Sequence, residues 1–210
     1  MLNPDTIPTD EIKMGDPVWR MAFLFPPQGS WSEAEYLALD AGRQIDFESG
    51  FVEVLDLPTK EHQRIVRFLF LLLQAFVESK KLGEVFFAPL PVRLWNQKYR
   101  EPDLVFLNKS RSESLGYPNG ADLVVEVVSS SPTDRKRDLE TKVAEYEKAA
   151  IPEYWIVDPQ DKSVSVYALN SPENATYAVQ KFTGGQLVRS KVLAGFEADV
   201  SEILAAANAN

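Results

Sequence analysis

Two acidic side chains near the middle of the chain are the residues best placed to do chemistry. Asp103 follows Pro102, which has no amide donor and fixes the backbone where a strand begins. Glu126 stands inside ADLVVEVVSS (121–130), a β-branched and aliphatic run typical of a strand covered on both faces. A carboxylate is almost never fully buried unless it is paired or binds a metal, because leaving water costs it several kcal/mol. We therefore expect Glu126 to face a metal ion or a basic side chain.

The spacing of Asp103 and Glu126 favours a shared metal ion. If their strands are neighbours, the two carboxylates lie on one side of the sheet. Two carboxylates held close repel, and one is protonated unless a cation lies between them. Mg²⁺ takes one or two carboxylates, with water and substrate phosphate completing its octahedron. We expect Mg²⁺ here, with Mn²⁺ as the alternative ion.

Lys142 is the third candidate. On a helical wheel it lies beside the stripe of Leu139, Val143 and Tyr146, about 60–70° from its centre at 100° per residue. Its alkyl stem can run along apolar surface and bring the ammonium group to the sheet edge. There the ammonium group could orient a water and offset the charge that develops on an attacked phosphate.

The elements that must position these side chains follow from periodicity and turn residues. Before Asp103 we expect a short helix in SEAEYLALD capped by Ser30 or Ser32, a hairpin of RQIDF and FVEVLDL, a long helix from Lys60 to about Ser79, and one or two strands in GEVFFAPLPVRLW. After that we expect strands in YREPDLVFL and ADLVVEVVSS, a helix from about Arg135 to Ala150, strands in EYWIVD, KSVSVYAL and TYAVQKF, and a terminal helix in SEILAAA. EYWIVD would close a βαβ unit.

This order predicts an α/β fold, with a mixed central β-sheet flanked by helices. An N-terminal helix and β-hairpin precede the sheet, and extra strands follow it at the C-terminal side. We expect one domain over residues 31–210, preceded over residues 1–30 by an irregular arm that contains five prolines.

Composition excludes several classes of site. Without cysteine there is no disulfide, thiolate zinc site or cysteine nucleophile. His62 is the single histidine, so HExxH zinc sites are excluded, and no Walker loop, GxGxxG or GxSxG motif occurs. A net charge of −9 argues against a broad positive surface that coats nucleic acid, but not against a cleft that grips a few phosphates.

Nothing in the sequence predicts a membrane partner. No apolar run reaches the roughly 18 residues that a membrane span requires, and no secretory signal is visible, so we expect a cytoplasmic protein.

The paired motifs resemble the PD-(D/E)XK nuclease superfamily, in which a proline–aspartate at a strand start precedes an acidic residue in the following strand. More closely, EPDLVFL, PTKEHQRIV and residues 121–159 resemble the Uma-two-type family of restriction endonucleases, over roughly Trp31 to Leu169. The resemblance implies a restriction-endonuclease-like core and Mg²⁺-dependent hydrolysis of phosphodiester bonds in nucleic acid, with DNA as the expected substrate. A homodimer would suit the cutting of two strands.

Carried over residue by residue, the resemblance assigns Asp103 to the PD element and Glu126 to the acidic position of the second element. The superfamily lysine two residues later would fall at position 128, where this chain has Val128. Related families place that lysine on the following helix, which makes Lys142 its replacement.

Two further assignments concern the start of the long helix. His62 matches a histidine usual in the family, and Glu61 is a candidate for the first-helix acid found in part of the superfamily. Both are expected to make accessory contacts with the metal site or the substrate.

Each candidate also has a structural alternative. Asp103 could cap a turn or strand, Glu126 could pair with a buried arginine such as Arg93, Lys142 could pair with Asp138 at i,i+4, and His62 could be a half-buried histidine with satisfied hydrogen bonds. The cations Arg135, Lys136 and Arg137 are candidates for binding backbone phosphates or simply a solvated charge run at a helix start.

At the level of function, the alternative is a catalytically inactive nuclease-fold module that binds nucleic acid or a protein partner. Val128 and the net negative charge favour this alternative. An enzyme requires both carboxylates and a lysine within a few ångströms of one another, whereas a lysine pointing into solvent would favour the module.

Overall fold

A computed structural model of the chain describes residues 25–39, 42–170 and 176–208, without the side chain of Thr133. Most of the predicted N-terminal arm, residues 1–24, lies outside the described residues, and the single domain over 31–210 stays a prediction.

The elements before the candidate acidic pair begin with a short helix and a hairpin. In chain order they are α1 (Glu33–Leu37), β1 (Ile45–Glu48), β2 (Phe51–Val54), α2 (Lys60–Lys80), β3 (Gly83–Phe87), β4 (Val92–Trp95), β5 (Lys98–Arg100) and β6 (Leu104–Asn108). The elements that follow are α3 (Lys109–Ser112), β7 (Leu123–Val127), α4 (Pro132–Lys136), a π-helical turn (Arg137–Thr141), α5 (Lys142–Lys148), β8 (Glu153–Asp158), β9 (Ser163–Leu169), β10 (Tyr177–Thr183), β11 (Leu187–Arg189), β12 (Glu197–Asp199), α6 (Val200–Ala205) and a 3₁₀ turn (Ala206–Asn208).

The ends of the predicted helices are fixed by local hydrogen bonds. Ser32 caps α1 and forms a capping box with Glu35, and the Thr59 hydroxyl accepts a hydrogen bond from the His62 amide at the start of α2. At the other end of α2, Lys81 turns the chain with φ 54°.

The central sheet is mixed, as predicted, with strand order β10-β9-β8-β7-β6-β3. The pair β7–β8 is parallel and the other neighbours are antiparallel. Alternate side chains of β7 serve two cores: Leu123 and Val125 pack with α2 and α6, whereas Val124 packs with Tyr146 of α5. By the same alternation Glu126 faces the α5 layer.

A second sheet, of order β2-β1-β5-β4, contains the predicted hairpin. YREPDLVFL was expected to form one strand, and this is wrong. The chain breaks between β5 and β6, because Pro102 has no amide donor and the Glu101 side chain accepts a hydrogen bond from the Ile45 amide. The break places the two halves of the segment in different sheets and leaves Asp103 at the junction.

Buried ion pairs tie this second sheet to α5. The Arg100 guanidinium binds both carboxylate oxygens of Glu145, at 2.7 and 2.8 Å, and a third nitrogen lies 2.6 Å from Asp46. Lys98 donates to the same Glu145 carboxylate at 2.6 Å. Since Glu145 lies on the same helix as Lys142, these contacts hold the helix that carries the catalytic candidate.

The end of the predicted helix and the C-terminal region differ from expectation. The helical segment begins at Pro132 and ends at Lys148, and Ala150, the expected last residue of the helix, is exposed with φ 53°. The antiparallel ribbon β11–β12 was not predicted, because its three-residue strands are too short to show a period. Within the part of the chain that is described, no helix is both long and apolar enough to cross a membrane.

Glu101 gives the fold a pH dependence. Burial, together with the nearby charge of Asp46, raises the pKa of Glu101 from its ordinary value of 4.5 to about 7. The native state therefore binds more protons than the unfolded chain between these values, so this group lowers the free energy of unfolding as pH rises through that window, by about 2–3 kcal/mol. Glu101→Gln keeps an acceptor for the Ile45 amide but cannot titrate. In urea melts, its free energy of unfolding should therefore rise relative to that of wild type by about 2–3 kcal/mol between pH 5 and pH 8.

Glu113→Gln is the matched control, because Glu113 is exposed on the protein surface. The free energy of unfolding of Glu113→Gln should differ from that of wild type by the same amount at pH 5 and at pH 8. An equal pH dependence in Glu101→Gln and wild type would contradict the assignment to Glu101.

Candidate active site

The three predicted catalytic residues line one cavity. The cavity has a volume of about 140 Å³ and lies where the start of α2, the start of β6, the end of β7 and the π-helical turn meet. Its wall includes Asp103, Glu126 and Lys142, and His62 from α2. All three predicted residues are buried, with exposed fractions of 6% for Asp103, 3% for Glu126 and 2% for Lys142.

The register of the central sheet explains why the two acids meet. Leu104 of β6 pairs with Val125 of β7 in an antiparallel ladder. Asp103 precedes Leu104 and Glu126 follows Val125. Because the strands are antiparallel, the two acidic residues lie opposite one another at the end of that ladder. β6 and β7 are neighbours, which was the condition for the two carboxylates to lie on one side of the sheet.

The cation that Glu126 faces is Lys142. Lys142 Nζ lies 2.8 Å from Glu126 Oε1, and the Tyr146 hydroxyl donates to the same oxygen at 3.0 Å. Arg93, the alternative partner, contacts Glu33 at 3.4 Å and Asn96 at 3.0 Å instead. Lys142 therefore points into the cavity and not into solvent.

Asp103 is held by two donors through one of its oxygens. The Val127 amide donates to Asp103 Oδ2 at 2.8 Å, and His62 Nε2 lies 3.1 Å from the same atom. His62 is half-buried, as the structural alternative expected, but its hydrogen bonds are not all satisfied, because Nδ1 has no partner among the described residues while Nε2 contacts a predicted catalytic residue. The His62–Asp103 contact joins α2 to the candidate site.

Asp138 is a site residue that sequence reasoning missed. It lines the cavity, and its Oδ1 lies 3.0 Å from Lys142 Nζ. The i,i+4 spacing to Lys142 was weighed only as a surface helix pair, but the π-helical turn Arg137–Thr141 brings both side chains to the cavity wall. π-turns inside helices occur often at functional sites.

Burial and like charge set the protonation of the site. Burial, together with the charges of Asp103 and Asp138, raises the pKa of Glu126 to about 8, because Lys142 offsets only part of these effects. For Asp103, burial is outweighed by the charge and hydrogen bond of His62 and by the Val127 amide, so its pKa is lowered. For Lys142, burial is outweighed by the Glu126 and Asp138 charges, so its pKa is raised. The cavity wall carries more carboxyl groups than basic groups, namely Asp56, Asp103, Glu126, Asp134 and Asp138 against Arg137 and Lys142.

The carboxylates suit a divalent cation. Within the described residues, Asp103 Oδ1 and Glu126 Oε2 accept no hydrogen bond, while the second oxygen of each carboxylate is occupied. In the same part of the chain, no three acidic or histidine side chains form a ready-made cation site. Two carboxylates with free oxygens and a surplus of negative charge match an ion that completes its shell with water and substrate phosphate.

Of the remaining predicted residues, Arg137 lines the cavity, whereas Glu61, Arg135 and Lys136 do not. Glu61 is exposed in the first turn of α2 and does not line the cavity. Arg135 binds both oxygens of Asp158, at 2.9 and 2.7 Å, and Arg137 binds Asp134 at 2.6 Å. Lys136 is exposed. Phosphate binding by Arg135, Lys136 and Arg137 stays a prediction, with two of the three cations already paired.

Comparisons with known proteins identify the family of the chain and a solved structure with a similar fold. Residues 33–201 match the Uma2 family, described as "Putative restriction endonuclease". No curated protein matches the sequence. A solved structure described as "a putative nuclease belonging to DUF820" from Anabaena variabilis ATCC 29413 shares the fold, with 16% identity and a TM-score of 0.67 over 83% of this chain and 97% of that chain. Because the match extends over most of its length, the chain belongs to the Uma2 restriction-endonuclease family.

Proposed function

We propose that this chain is a Mg²⁺-dependent endonuclease that hydrolyses phosphodiester bonds of DNA at the Asp103–Glu126–Lys142 cavity. The observation that supports it is the 2.8 Å contact between Lys142 and Glu126 in the cavity that Asp103 also lines. The family match supports a nuclease, and the side chains of the cavity suit metal-assisted hydrolysis of a phosphodiester bond.

Asp103 and Glu126 would hold the metal ion through their free oxygens. Such an ion, when bound, lowers the pKa of a coordinated water and polarises the phosphate. Mn²⁺ would fit the same oxygen ligands.

The chain's own residues do the positioning. The Val127 amide and His62 fix one Asp103 oxygen, which leaves the other directed to the ion. Tyr146 and Lys142 both contact Glu126 Oε1, which leaves Oε2 available to the ion. Lys142, held between Glu126 and Asp138, keeps its proton and has an ammonium group available to orient the attacking water and to offset charge on the phosphate.

Metal binding is the direct test of the proposal. Titration calorimetry with Mg²⁺ and with Mn²⁺ should show binding to wild type and a loss of at least about tenfold in affinity for Glu126→Gln, since the variant loses one charged ligand. Glu140→Gln, an exposed glutamate of the π-helical turn, should bind as wild type does. Because magnesium sites often complete only with phosphate present, the titration is repeated with a non-cleavable oligonucleotide. Equal affinity in Glu126→Gln under both conditions would contradict the metal site.

The second candidate is a nuclease-fold module without activity, and one observation favours it. Lys142 already pairs with Glu126 and Asp138, so part of the cavity's charge is neutralised without a metal ion. Such a module should bind neither metal ion tightly and should leave supercoiled plasmid uncut, whereas the enzyme should nick or linearise it.

A further inference from the structure

A groove on the outer side of α2 lies beside the candidate active site. Its volume is about 450 Å³, and its wall combines three cations, Lys60, Arg64 and Arg67, with two aromatic rings, Phe70 and Phe87. We call it the α2 groove. The spacing of four and three residues places its cations on one face of the helix.

The charge of the α2 groove is opposite to that of the chain. The whole sequence carries −9, but no acidic side chain in the described part of the chain lines this wall. The side chains of Lys60 and Arg67 form no ion pair or hydrogen bond with any described residue, and the Arg64 side chain donates one hydrogen bond, of 3.1 Å, to the Ala207 carbonyl. In the 135–137 cluster, by contrast, both arginines are paired with carboxylates. The α2 groove is therefore complementary to phosphates.

An exposed ring accompanies these cations. Phe87 ends β3, an edge strand of the central sheet, and 58% of its surface is exposed. Phe70 supports it edge to face, with ring centroids 5.1 Å apart. Cations beside an exposed aromatic ring form the combination by which proteins bind single-stranded nucleic acid, with bases stacked on the ring.

The α2 groove continues to the candidate active site. A second cavity, of about 190 Å³, shares Val66 and Phe87 with the α2 groove and Asp103 with the catalytic cavity. The three cavities are therefore adjacent, and Phe87 and Asp103 line the same intermediate cavity.

We infer that the α2 groove binds a single-stranded segment of DNA and leads it to Asp103. Phosphates contact Lys60, Arg64 and Arg67, and a base stacks on Phe87. A duplex keeps its bases stacked on one another, so only an unpaired strand offers a free base to the ring. The inference rests on the proposed function in one respect: the bound strand is the substrate of that site.

Fluorescence anisotropy with labelled oligothymidine tests the groove, with EDTA present so that cleavage plays no part. The full-length chain is compared with a Lys60→Ala/Arg67→Ala double variant and with Phe87→Ala. The slope of log affinity against log salt concentration is negative, and removing two phosphate contacts should make it shallower by about 1.4. Losing one stacked base should weaken binding about tenfold. Lys109→Ala and Phe51→Ala, exposed residues outside these cavities, should leave affinity unchanged.

Several outcomes would overturn the inference: no binding of oligothymidine by the wild type, or binding by the variants with unchanged affinity and salt slope. Tighter binding of the oligothymidine–oligoadenine duplex through the same residues would assign the α2 groove to double-stranded DNA instead. Binding is measured without cleavage, so the two proposals can fail separately. If the chain binds oligothymidine through the α2 groove but cuts no DNA, the proposed activity is wrong and the groove assignment stands. If the chain cuts DNA but binding does not depend on the groove, the groove assignment is wrong and the proposed activity stands.

Discussion

Asp103→Asn is expected to lower DNA cleavage by about a thousandfold while leaving the fold intact. The asparagine carbonyl oxygen can take the place of Oδ2 and accept from both the Val127 amide and His62 Nε2, so the two contacts that fix this position are kept. Only the negative charge is lost. A cation that stabilises the transition state by several kcal/mol depends on that charge, and each 1.36 kcal/mol is worth a factor of ten in rate.

The measurement is the rate of plasmid nicking in Mg²⁺, together with urea melts at the same pH. Asp161→Asn, in an exposed turn away from the cavity, controls for the loss of a carboxylate. Stability should change by less than about 2 kcal/mol in Asp103→Asn. Full activity in the folded variant would refute the role of Asp103.

The sequence predicted those parts of the fold and of the site that depend on local pattern. The apolar run of β7, the proline before Asp103 and the serine cap of α1 are each visible within a few residues. The pairing of Asp103 with Glu126 required only that two successive strands be neighbours, which is the commonest arrangement. Lys142 was found because its position on the helical wheel places it next to the apolar stripe.

What the sequence could not show depends on long-range contacts. The break between β5 and β6 is held by Glu101 and Ile45, whose separation in the chain leaves no periodic signal. The π-helical turn that brings Asp138 to the cavity has no sequence signature, and the spacing of Asp138 and Lys142 equally fits a surface pair. The pairing of Arg135 with Asp158 likewise depends on β8 lying beside the start of α4.

Lys142→Met is expected to cost about 3–5 kcal/mol of stability as well as activity. The methionine fills a similar volume but leaves Glu126 and Asp138 buried without their cation, and breaking a buried pair by removing one partner is costly for this reason. Denaturant melts give the free energy of unfolding. Lys148→Met, the same change at an exposed position of α5, should cost less than about 1 kcal/mol.

A double variant separates the two roles of Lys142. Glu126→Gln added to Lys142→Met removes the unpaired charge while keeping an acceptor for the Tyr146 hydroxyl, so it should recover about 2 kcal/mol. Cleavage should stay at least a hundredfold below wild type in both variants at temperatures where they are folded, because both lack the ammonium group and the double variant also lacks one of the two metal ligands. If the double variant regained activity along with stability, neither the Lys142 ammonium group nor the Glu126 carboxylate would be needed for cleavage. If Lys142→Met were as stable as wild type, the charge balance derived for the cavity would be wrong.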